Sequence, residues 1–123
     1  MKYSIPDKRE LIKPEIEFLT YLFKKAKPEW NNTIRNLKVI ARCGCGNCPS
    51  ILFEKRLDSK MQKGNLIIDS VGKGKNDELI GVSVFGNNQM PTELEFYSID
   101  GKSEIIEMPK IKTLKFIMQK SST

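Results

Sequence analysis

Residues 37–53 read Leu37-Lys38-Val39-Ile40-Ala41-Arg42-Cys43-Gly44-Cys45-Gly46-Asn47-Cys48-Pro49-Ser50-Ile51-Leu52-Phe53, and the fold class turns on them. Before Leu37, apolar residues recur at spacings of three and four; from Leu37 onward they alternate. Leu37, Val39 and Ala41 share one side of an extended chain, and Ile51 and Phe53 do so again after the turn. Gly44-Cys45-Gly46-Asn47 has the composition of a connection between two strands, so a hairpin is expected. This change of period predicts an α+β domain.

Toward the N-terminus, Pro6-Asp7 predicts a short helix over residues 6–12. Pro14 suits the first turn of a second helix, where its missing N–H costs nothing. Ile16, Leu19, Leu22, Phe23 and Ala26 would form that helix's apolar stripe. Glu15 and Glu17 at its start and Lys24, Lys25 and Lys27 at its end suit the helix dipole. Pro28 stops it, and a third short helix over 29–36 would carry Trp30 and Ile34.

Toward the C-terminus, strands are expected over 50–56, 65–71, 79–85 and 92–99. Asp100-Gly101 signals a hairpin with a return strand over 103–107. Residues 110–123 read as a short helix or an extended arm on the sheet, frayed from 120. The expected architecture is one domain over residues 1–123: 1–36 helical, 37–109 sheet. The N-terminal helices would pack on one face of a mainly antiparallel sheet of about five to six strands.

Composition agrees with an ordinary globular protein. The chain has 123 residues, 39% hydrophobic and 29% charged, enough to bury a core without a metal or disulfide. Nothing at the start resembles a signal peptide's apolar region, and no apolar run is long enough to span a membrane, so a cytoplasmic location is expected. Three cysteines, all between 43 and 48, do not make a disulfide framework. The net charge of +6 reflects scattered lysines with no nucleic-acid motif, which makes nucleic acid an unlikely partner. With no histidine in the chain, Ser-His-Asp and Cys-His arrangements are absent, and no catalysis is expected.

Two stretches carry candidate chemistry. Cys43, Cys45 and Cys48 in a glycine-rich turn can aim three thiolates at one point, as a zinc site needs, with a fourth ligand from a carboxylate or a partner molecule. The same residues also read as small, semi-buried side chains in a reduced hairpin, or as redox-responsive thiols with Arg42 lowering a thiol pKa. In residues 93–98, Glu93, Glu95 and Tyr97 alternate with Leu94, Phe96 and Ser98. With Asp100 they would form an acidic strand face, a solvated surface or a partner-binding patch.

The order of Val39-Ile40-Ala41-Arg42-Cys43-Gly44-Cys45-Gly46, Cys48-Pro49-Ser50-Ile51 and Glu93-Leu94-Glu95-Phe96-Tyr97-Ser98-Ile99-Asp100-Gly101 resembles a family of small bacterial proteins. That family shares an RCGCGCPS-type turn and an ELExYSxDG segment, and the label carries no agreed activity. This chain departs from it at Asn47, which widens the last cysteine gap by one residue and weakens a metal reading. Proteins of this style resemble immunity proteins encoded beside bacterial toxins. The resemblance implies a protein-binding module with a protein partner, a cognate toxin, engaged through Glu93, Glu95, Tyr97 and Asp100. The alternative is a small metal-binding or redox-responsive protein.

Overall fold

The alternation beginning at Leu37 becomes a seven-stranded antiparallel sheet, in a computed structural model that describes residues 3–53, 64–87, 89–101 and 104–119, the last two by their backbone. The chain runs β1 (Ile5–Glu10), α1 (Lys13–Ala26), a 3-10 helix (Pro28–Asn36), β2 (Lys38–Arg42) and β3 (Ile51–Phe53). It continues through β4 (Asn65–Lys73), β5 (Leu79–Gly86), β6 (Pro91–Ser98), a 3-10 turn (Ile111–Thr113) and β7 (Lys115–Gln119). Across the sheet the order is β1-β2-β3-β6-β5-β4-β7. Two runs of sequential neighbours, β1-β2-β3 and β4-β5-β6, are joined where β3 meets β6, with Ile51 opposite Leu94 and Leu52 opposite Glu93. The protein is α+β, as expected, but mostly sheet, with seven strands where five to six were expected.

The expected helix over 6–12 is instead β1. Its residues Ile5, Asp7 and Arg9 are half-buried and alternate with exposed Pro6, Lys8 and Glu10. Asp7 Oδ2 accepts from Arg9 Nε at 3.0 Å and from Arg42 Nε of β2 at 3.2 Å, so an ion pair spans the two strands. Pro6 is tolerated because β1 is an edge strand with a register shift between Pro6 and Arg9.

Helix α1 begins with a polar device. Glu15 accepts the Ile12 N–H at 3.0 Å and takes both Arg9 Nη atoms at 2.8 and 2.9 Å. So held, Glu15 is itself buried, and the buried stripe runs Glu15, Phe18, Leu19, Leu22 and Phe23. These positions follow the i, i+3, i+4, i+7, i+8 spacing of a core-facing helix. The expected stripe placed Ile16 there; it is 41% exposed, and Phe18 lies inside instead. Phe18 meets Phe96 of β6 edge to face at 5.4 Å between ring centres, and Phe23 meets Trp30 in the same way at 5.4 Å.

The strands expected over 65–71, 79–85 and 92–99 form as β4, β5 and β6. That expected over 50–56 forms from Ile51 to Phe53, and its remainder lies outside the described residues. The return strand expected over 103–107 does not form at described residues 104–107. On its side away from β5, β6 pairs with β3 at Glu93 and Leu94, and beyond them Ser50 bonds Phe96. The C-terminal segment is the extended alternative and not a helix: its five residues pair with β4 as β7. Residues 120–123 lie outside the described part. No helix among the described residues is long and apolar enough to cross a membrane.

Candidate metal centre

The turn between β2 and β3 gathers the three thiols. Cys43 leaves β2 on the buried side, Cys45 is exposed, and Cys48 is half-buried. Their Sγ atoms all lie within 4.8 Å of one another. Three devices hold the turn in this shape. The Gly46 N–H donates to the Cys43 carbonyl at 3.1 Å, and Gly46 has φ of +81°, a backbone state that a side chain would strain. The far side is fixed by fully buried Ser50. Its hydroxyl accepts from the Phe96 N–H at 2.8 Å and lies 3.3 Å from the Phe96 carbonyl, to which it donates. Outside, the Asn47 amide donates to Glu104 Oε1 at 2.9 Å, across 57 positions of sequence.

Asn47, read from the sequence as a disturbance, turns out to be a structural part of the site. Its backbone N–H and that of Cys48 both donate to Cys45 Sγ, at 3.4 and 3.3 Å. Two N–H groups aimed at one sulfur stabilise a thiolate, because hydrogen bonds to the charged form favour it. The Cys45 thiol is accordingly drawn down to about 7, with those two N–H groups as the main cause. Burial pushes the Cys43 thiol up to about 11. Arg42 is not the cause anticipated in the redox reading: its guanidinium is turned to Asp7. The donors that matter are backbone groups, and the Cys45-Gly46-Asn47-Cys48 spacing was the only sequence signal of them.

The acidic strand is arranged differently. Leu94 and Phe96 are 0% and 1% exposed, on the interior side as alternation requires. Glu93, however, is 5% exposed: Tyr3 lies against it and donates its hydroxyl to Oε2 at 2.7 Å. Burial first, and then this carboxylate, push the Tyr3 phenol well above its ordinary range. Glu95 and Tyr97 are half-buried, and Asp100 is exposed and accepts from the Ser98 hydroxyl. Tyr97 lies across Gly81, where any Cβ would strike its ring, and its hydroxyl reaches Asp69 Oδ1 at 3.3 Å. Ser83 donates to the same oxygen at 3.1 Å. Burial is the first cause of the upward shift at Tyr97.

Two lysine groups far apart in sequence also meet. Lys110 N–H donates to the Lys73 carbonyl at 3.0 Å, and Lys115 lies opposite Val71, so Lys73, Lys110, Lys112 and Lys115 share the end of β4. Comparison with protein-family models, curated proteins and solved structures finds no match for this chain.

Proposed function

We propose that the chain is a small metal-binding protein whose centre is the turn carrying Cys43, Cys45 and Cys48. The observation that supports it most directly is the convergence of three sulfurs within 4.8 Å. Zinc is the favoured ion, since thiolates in a compact turn suit a borderline-soft divalent cation. The backbone N–H groups on Cys45 Sγ act as an outer shell that would orient and charge-balance the ligand. No catalytic role is assigned.

Elemental analysis of protein purified without chelator tests this. One zinc per chain is expected, lost in Cys45→Ser; a content far below one, with melting temperature unmoved by EDTA, disproves it.

A second reading, a non-catalytic protein-binding module of the immunity type with a cognate toxin as partner, draws support from the end of β6. There Asp100 and Ile99 are exposed beside half-buried Glu95 and Tyr97, and an acidic rim around an apolar residue suits a protein contact. Glu93, covered by Tyr3, contributes little direct contact on this reading. Co-purification with the product of a neighbouring gene, abolished by Asp100→Lys, is its expected signature; retention of the partner by that variant counts against this surface.

A further inference from the structure

We infer that Glu104 is the fourth ligand of the metal held by Cys43, Cys45 and Cys48, an inference that rests on the metal reading above. Three thiolates leave a tetrahedral ion one donor short, and the chain has no histidine to supply it. A carboxylate oxygen is the remaining protein donor that suits zinc. Among the described residues, three carboxylates are tied to the turn or its immediate flanks, through Arg42, Leu52 and Asn47. Asp7 is engaged by both Arg9 and Arg42. Glu93 is buried and bonded by Tyr3. Glu104 is exposed and is held by a neutral amide, that of Asn47, at 2.9 Å.

That amide belongs to the residue between Cys45 and Cys48, so the carboxylate is already tethered to the knuckle itself. Exchanging a neutral hydrogen bond for a cation is favourable for a carboxylate, whereas Asp7 would have to abandon two guanidinium groups. The backbone beside Glu104 is anchored as well: Ile105 is 7% exposed and joins the core. In the metal-free chain the Glu104 carboxylate stands outside the group of three sulfurs, so ligation exchanges its bond to Asn47 for the ion. Ligation by three thiolates and a carboxylate carries net negative charge with a divalent ion, and the chain's charge of +6 favours it.

The test is cobalt(II) titration of the apo chain, of Glu104→Gln and of Cys45→Ser, read by visible and near-ultraviolet absorption with zinc competition. The expected result is a tetrahedral spectrum with thiolate charge-transfer bands in the parent chain. Glu104→Gln should keep those bands, alter the visible envelope and lose about tenfold or more in affinity, and Glu104→Asp should recover part of the loss. If the parent chain binds and Glu104→Gln matches it in spectrum and affinity, the fourth-ligand assignment is overturned while the three-thiolate centre stands. If the parent chain binds neither cobalt nor zinc, the centre and the assignment fall together.

Discussion

The cysteine turn and the acidic strand both stand out in the sequence, yet the fold treats them in opposite ways. Six residues of turn bring three thiols to one point and direct two backbone N–H groups at the exposed one. Strand β6 does not leave its polar face free: Glu93 is covered by a residue 90 positions away, and Tyr97 is occupied with Asp69. A turn's geometry is local, so spacing predicts it. A strand's outer face is defined by whatever else crosses it.

The sharpest way to break this contrast is at the thiols. Cys45→Ser should abolish stoichiometric zinc binding, measured by elemental analysis, whereas Glu95→Gln should leave metal content unchanged. Next comes Ser50→Ala, which joins the two regions. Losing the buried hydroxyl leaves the Phe96 N–H unpartnered and should cost about 2–3 kcal/mol in urea unfolding. Tyr3→Phe should cost about 1–3 kcal/mol, because a buried carboxylate loses its donor. Glu95→Gln should cost less, below about 1 kcal/mol.

The smallest effect is kinetic. In the metal-free chain, Cys45 should react with iodoacetamide with a midpoint near pH 7, since the thiolate is the nucleophile and its thiol is drawn down to about 7. The sign follows: the rate falls about tenfold per pH unit below the midpoint and levels off above it. Cys43, pushed up to about 11, should remain slow through pH 8. Peptide mapping of the alkylated protein would check both; equal labelling of Cys43 and Cys45 at pH 7 would remove the electrostatic distinction between them.

Most of the interior could be read from residue order alone. Val39, Ile51, Phe53, Leu94 and Phe96 fall inward by alternation, and Leu19, Leu22 and Phe23 by helical spacing. The parts misread or left open lie mainly at the sheet's two margins. β1 has a charged sequence with Pro6-Asp7, and its extended form comes from pairing to β2 and the Asp7–Arg42 contact, both non-local. β7 satisfies either period over five residues and becomes a strand because β4 has an edge to fill. Residue order makes Glu15 a dipole partner because a glutamate seldom lies inside; Arg9, with the Ile12 N–H, makes its burial tolerable. At the site, three thiols were visible in sequence; Glu104 was not, since nothing in residue order brings it to Asn47.

The meeting of β3 and β6 has a consequence for how the chain reaches its native state. The pairings β2–β3, β4–β5 and β5–β6 join neighbours in sequence, which is fast; the β3–β6 junction closes a longer loop, as do β1 on β2 and β7 on β4. That junction rests on a three-residue strand, extended at one end by a serine hydroxyl standing in for a peptide group. Its closure therefore belongs with the slow, non-local events of assembly, and the thiol turn gains its anchor from Ser50 to Phe96 only when that junction forms.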